Sequence, residues 1–223
     1  MDIESESLVD RVFERILHLL RGRGLFSVEV LRAANLAEEL GVSRTPVNLA
    51  LVRLQSEGLI QKNVGRGWAT IPLSLEDIES IFDLKDLLEP YEARCAAENI
   101  TPQTSTTLLA IVREMERSCE TDDLDVWLSA DNRYHSLLQA IVGNRQLTRF
   151  QQQLNHQLYR LQVGHLAMKG RLIEACQEHR LVAEAIVAGD PDLAAENARR
   201  HISTLRANVI DVVKNILLPF LGQ

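Results

Sequence analysis

Asp131 and His135 stand four residues apart in SADNRYHSLL, a spacing that sets two side chains one turn apart on the same face of a helix. A carboxylate and an imidazole so placed can bind one divalent metal together. His179 in ACQEHRLVAEAI and His201 in ARRHISTL lie on the next-to-last and last helical segments, where a bundle can bring facing side chains to one interior site. Three imidazoles and a carboxylate suit Zn, Ni, Mn or Fe, and leave room for water or a bidentate ligand on a six-coordinate ion. Spacing alone also admits plainer readings. A lone histidine on an amphipathic helix is more often a surface or hydrogen-bonded core residue than a ligand, and an Asp–His pair at this interval can simply stabilise its helix. The same inventory could serve a metal-dependent hydrolase. Against catalysis, the chain has no HExxH, no nucleophile elbow and no glycine-rich phosphate loop, and Glu178 points about 100° away from its neighbour His179.

A second chemical signal lies in Ser43 to Gly58, SRTPVNLALVRLQSEG. Ser43 can cap a helix, Pro46 falls where a missing N–H costs least, and Gly58 suits a left-handed C-terminal position. Val47, Ala50, Leu51 and Leu54 form an apolar stripe, while Arg44, Thr45 and Asn48 gather at the start of the opposite face. The preceding LAEELG, Leu36 to Gly41, reads as a short helix closed by a glycine turn, so the pair has the form of a helix-turn-helix whose second helix can enter a major groove. An ordinary pair of core helices is the alternative. After Gly58, LIQKNVGRGWATIPL alternates as two short strands around Gly65-Arg66-Gly67, a hairpin whose arginine could meet a phosphate or simply face solvent.

The remaining elements follow from periodicity. A first amphipathic helix runs from about Glu6 to Arg21, with Leu8, Val12, Ile16, Leu19 and Leu20 on one face. Pro72-Leu73-Ser74 marks a boundary between a domain of residues 1–73 and one of 74–223. Six helices are predicted beyond it: Leu75 to Asn99, Gln103 to Cys119, Leu124 to Ile141, Arg145 to Val163, Arg171 to Ala188 and Pro191 to Leu217. The fold class is therefore mainly α, a winged helix-turn-helix followed by an all-helical bundle.

Composition narrows the setting. Hydrophobic residues make up 46% of 223, enough for real cores, and no apolar run reaches the ~18 residues of a membrane span. The N-terminus lacks signal-peptide character, so a cytoplasmic location is expected. Cys95, Cys119 and Cys176 are widely spaced with no CxxC pair, which points to reduced, buried thiols. The net charge of −7 lies wholly after residue 72, since residues 1–72 hold nine basic and nine acidic side chains. Gly41 to Gly67 carries Arg44, Arg53, Lys62 and Arg66 against Glu57, a modest basic footprint for DNA.

The run LAEELGVSRTPVNLALVRLQSEGLI followed by GRG resembles the winged-helix DNA-binding domain of GntR-family bacterial transcription regulators, across about residues 8–72. DNRYH, EHRLVAEAIVAGD and ARRH resemble the all-helical FCD effector domain of the FadR subgroup, across about residues 75–218. The first resemblance implies DNA contacts from Arg44 and Thr45 and from the wing at Gly65, Arg66 and Gly67. Asn48 could read an adenine edge, and Leu49 a thymine methyl. Members usually carry arginine where this chain has Asn48, glutamate at Leu49 and another basic residue at Val52, so the operator is expected to be its own. The second resemblance implies a divalent metal on Asp131, His135, His179 and His201, with Tyr134 in place of a more usual phenylalanine. It also implies a small anionic metabolite near a basic residue, for which Lys85 and Arg160 are candidates, although solvated charges are the plainer reading of each. His18, His156 and His165 match no metal position. The expected molecule is a homodimeric repressor, not an enzyme, on a palindromic double-stranded operator, with its affinity set by a carboxylate or sugar acid.

Overall fold

The computed structural model describes residues 7–20, 28–63, 65, 67–121, 123–160 and 171–217. Helix α1 (Leu8–Leu19) opens with a capping box, in which Ser7 Oγ accepts from the Asp10 N–H and the Asp10 carboxylate accepts from the Ser7 N–H. Helix α2 (Ala33–Leu40) ends at Gly41 with φ +66°, and α3 (Arg44–Ser56) follows. The start of α2 lies a turn earlier than its sequence suggests, because its N-cap is Arg32, which makes no side-chain cap. Ser43 takes the N-cap position of α3, but its side chain makes no capping hydrogen bond, contrary to expectation. The first turn of α3 lies at the surface, so solvent can satisfy those N–H groups instead.

Three antiparallel strands form a sheet in the order β1 (Val30–Leu31), β3 (Gly67–Thr70), β2 (Ile60–Asn63). Leu31 pairs with Trp68, and Asn63 with Gly67. β1 is too short to display an alternating pattern, so only the structure reveals it. Gly67 is required where it stands: its φ is +93°, and a Cβ there would lie 2.7 Å from the Leu31 carbonyl oxygen. Phe13, Ile16, Val47, Leu51, Leu54 and Ile60 are buried together beneath these elements.

The helices of the second part are α4 (Leu75–Asn99, with Pro90 inside), α5 (Pro102–Glu120), α6 (Leu124–Val142), α7 (Arg145–Tyr159), α8 (Arg171–Val187) and α9 (Pro191–Val212). Their punctuation is chemical. Thr101 caps α5, Asp123 caps α6 and Asp190 caps α9, while Gly143 closes α6 in the left-handed conformation. The shared core includes Leu108, Met115, Trp127, Ala130, Tyr134 and Ile186.

Contacts divide the chain into one compact unit of Met1–Ile78 with Gln153–Gln162, and a second of Glu79–Gln152 with Val163–Gln223. The end of α7 thus belongs with the winged helix, which a division at residues 73–74 does not convey. The reason is polar. The Gln153 and Gln157 side-chain amides donate to the Glu57 carbonyl at 3.3 and 3.4 Å, and Arg160 donates to the Leu59 and Ile71 carbonyls at 3.3 and 3.0 Å. Among the described residues no helix is long and apolar enough to cross a membrane.

Candidate functional site

Three of the four histidine and aspartate positions meet within the bundle. Asp131 and His135 project from α6 and His179 from α8, and one ligand atom from each lies within 4.8 Å of the other two. Asp131 Oδ1 is 3.1 Å from His179 Nε2 and 3.7 Å from His135 Nε2. His201, on α9, stands beside this group, with its ring centroid 4.6 Å from that of His179.

The protons on these rings decide what the group can hold. His179 Nδ1 is 2.7 Å from the Ala175 carbonyl oxygen, so Nδ1–H donates there and Nε2 presents a lone pair. That Nε2 is buried and makes no hydrogen bond, although Asp131 Oδ1 is only 3.1 Å away. Two facing acceptors repel unless a proton or a cation lies between them. His201 Nδ1 donates in turn to Glu178 Oε2 at 2.8 Å, and Glu178 is gripped by Arg171 through bonds of 2.8 and 2.6 Å. Ligating histidines characteristically have their second nitrogen anchored in this way by a carbonyl or carboxylate.

Electrostatics favours an ionised Asp131 carboxylate, and the three rings respond differently to it. Burial works to raise Asp131, but His135, His179 and His201 outweigh it and hold the carboxyl at about 2. Burial pushes His135 and His201 down, helped at His201 by His179. Burial also opposes charge on His179, yet Asp131 and the Ala175 carbonyl prevail and raise it. The set of N and O donors, and above all the orphaned His179 Nε2, fits a divalent ion of the Zn, Ni, Mn or Fe kind.

Glu89, Glu92, Tyr134, His135, His179 and His201 line a cavity of about 20 Å³, room for an ion or a single water. The Glu92 Oε1 and Tyr134 Oη atoms are buried there without hydrogen-bond partners. Burial and the neighbouring Glu89 push Glu92 up to about 8, so it can donate a proton to a ligand oxygen at neutral pH. Sequence reasoning passed over both glutamates, since acids on a charged amphipathic helix read as solvated. It weighed Glu178 only as a general base. The structure gives that carboxylate to Arg171 and His201, which hold it at about 2 against the effect of burial.

Neither expected effector residue stands open to a ligand. Lys85 is buried and ion-paired with Glu89 one turn on. Arg160 is fully buried in the winged-helix unit, donating to backbone carbonyls. His156, also in that unit, packs on Phe13 and meets Glu57 Oε2 at 2.5 Å. His165 lies outside the described residues.

On α3, Arg44, Thr45, Asn48 and Leu49 are exposed, opposite the buried stripe of Pro46, Val47, Ala50, Leu51 and Leu54. Gly65 and Gly67 sit at the wing, while Arg66 lies outside the described residues. Arg53 is engaged internally, bonded to Asp10 at 2.9 Å and Glu57 at 3.1 Å with its guanidinium over the Phe13 ring. The basic face available to DNA is therefore smaller than a count of charges implies.

Residues 8–69 match the model of the bacterial regulatory proteins of the gntR family, and residues 80–204 match the FCD domain. An uncharacterised HTH-type regulator of Agrobacterium vitis is 36% identical over 112 residues, covering 48% of this chain and 65% of that protein, short of two thirds of its length. The Uxu operon regulator of Haemophilus influenzae is 26% identical over 93% of this chain and 85% of its own length. The "Probable D-xylose utilization operon transcriptional repressor" of Paenarthrobacter nicotinovorans is 26% identical over 84% and 82%. The solved structure of Escherichia coli McbR/YncC shares the fold, with a TM-score of 0.80 at 22% identity, covering 91% of this chain and 97% of that one.

Proposed function

The chain belongs to the GntR family of bacterial regulatory proteins and carries an FCD domain, and from that premise we propose a homodimeric operator-binding repressor controlled by a small carboxylate or sugar acid at a metal centre. Membership makes it a DNA-binding transcription regulator rather than an enzyme. The hydrolase alternative loses its candidate general base, since Glu178 is held by Arg171 and His201.

The observation that carries the metal reading is the buried, unpartnered His179 Nε2 facing Asp131. Asp131, His135, His179 and His201 would hold the ion, which when bound supplies a positive charge for a ligand carboxylate. Glu178 and Ala175 orient two of the rings. Glu92 and Tyr134 would donate to, or accept from, ligand hydroxyls. A cavity of about 20 Å³ is too small for a sugar acid as it stands, so effector binding must enlarge it. That required rearrangement is what could alter the DNA-binding units. A relative named for D-xylose utilisation supports a sugar-derived effector.

At the other end, Arg44, Thr45 and Asn48 would enter the major groove, with Gly65, Arg66 and Gly67 against the backbone or minor groove. Two-fold symmetry of the dimer asks for a palindromic operator.

Metal analysis of the purified full chain, joined to a thermal-shift screen of small carboxylates and sugar acids, tests the proposal. About one divalent ion per chain is expected, with stabilisation near 2.7 kcal/mol when a ligand reaches about a hundred times its Kd. Asp131→Ala and His179→Ala should remove both. A chain that binds no divalent metal, and whose melting is unmoved by added metal, would exclude the metal centre.

A further inference from the structure

Cys119, near the end of α5, and Cys176, on α8, are 57 residues apart in sequence yet bring their sulfurs to 2.8 Å. Both are thiols. They differ in surroundings. Cys176 is buried in the bundle core and receives a hydrogen bond from Trp127 Nε1–H at 3.2 Å, whereas Cys119 is partly open to solvent. Cys95, on α4, is not part of this pair. Two sulfurs in contact across packed helices need little backbone movement to join.

We propose that Cys119 and Cys176 are a reversible oxidation site, which closes to an intramolecular disulfide when the protein meets a hydroperoxide. The accessible Cys119 reacts first. Its thiolate attacks the terminal oxygen of the hydroperoxide, the O–O bond breaks, the transferred hydroxyl leaves Cys119 as a sulfenic acid, and the departing hydroxide or alkoxide takes up a proton to become water or an alcohol. Cys176 then attacks the Cys119 sulfur, the S–O bond breaks, and the Cys176 proton leaves with that oxygen as water. In sum, two thiols are oxidised and one hydroperoxide is reduced. Burial and the contact with Cys119 push Cys176 up to about 12, which makes it the less reactive of the two thiols toward a peroxide. That order protects the buried thiol and leaves the partly exposed one as the point of entry. The bond would tie α5 to α8 one turn before His179.

The test uses the full chain. The reduced protein is exposed to excess hydrogen peroxide, its remaining thiols are blocked with N-ethylmaleimide, and it is digested without reductant for mass spectrometry. The expected product is a Cys119–Cys176 cross-linked peptide, two hydrogens lighter than its parts, with only Cys95 alkylated and dithiothreitol restoring all three thiols. Cys95→Ser should leave the cross-link unchanged, and Cys119→Ser should abolish it and keep Cys176 reduced. Sulfinic or sulfonic acid on Cys119 with Cys176 still alkylated would overturn the proposal. So would a disulfide through Cys95, or three alkylated thiols after an exposure that oxidises a free glutathione control.

Discussion

Arg44 and Arg53 are both arginines of α3, and their surroundings assign them opposite tasks. Arg44 is exposed on the first turn, while Arg53 is held by Asp10, Glu57 and the Phe13 ring. Arg44→Ala should therefore weaken operator binding about tenfold or more, the cost of one good base contact at ~1–3 kcal/mol, and leave melting unchanged. Arg53→Ala should do the reverse, lowering stability by about 1 kcal/mol with DNA affinity affected only through folding. Fluorescence anisotropy at fixed salt, beside thermal melting, separates the two. At the proposed metal centre, Glu178→Gln keeps the shape of the side chain but removes the charge that orients His201 and balances Arg171. Competition with a chromophoric chelator should show metal affinity falling about 10- to 100-fold.

The wing and the end of α7 carry the predictions that belong to elements. Gly67→Ala forces a side chain into a left-handed backbone and against the Leu31 carbonyl, where β1 pairs with β3. A loss of about 1–3 kcal/mol in denaturant unfolding is expected, and an unaltered midpoint would show that the turn can relax. The α7 residues grip the C-terminus of α3 through Glu57. Burial works to raise the Glu57 carboxyl, but His156 and Arg53 outweigh it and lower it. A carboxyl depressed in the folded state contributes stability above its unfolded value of 4.5, and loses that contribution as pH falls through the lower folded value. Glu57→Gln should thus destabilise the protein at pH 7 and flatten the acid side of its stability profile below about pH 4.5. Equal slopes in the two proteins would refute this assignment.

For the whole molecule, charge is unevenly shared: residues 1–72 are neutral overall, and the whole of the −7 lies after them, mostly in the second compact unit. If metabolite and operator are linked as proposed, reciprocity is unavoidable: a ligand that weakens DNA binding by some factor must itself bind less well by that factor when operator is present. Calorimetric titration of the effector with and without operator DNA measures this directly. Equal affinities would break the linkage while leaving the family assignment untouched.

Much of this was legible in the residues because local signals agree. The helix starts at Leu124 and Pro191, the Gly41 turn and the Val47–Leu54 stripe each depend on one or two turns of helix, so short-range sterics and hydrogen bonds determine them. The Asp131–His135 pair belongs to the same class, since one helix turn sets its geometry. Relations between distant segments were not legible. Nothing in spacing says that Ala175 and Glu178 orient His179 and His201, that Lys85 is taken by Glu89, or that Arg160 caps carbonyls of Leu59 and Ile71. Nor does it bring Cys119 to Cys176. These depend on which helix faces meet, and that choice is made by burial of the whole apolar surface rather than by any one stretch of chain. The sequence by itself determined the helices, the two strands of the wing and the donor types. Tertiary packing decided which donors face inward, which are already satisfied, and which, His179 Nε2 among them, were left without a hydrogen-bond partner.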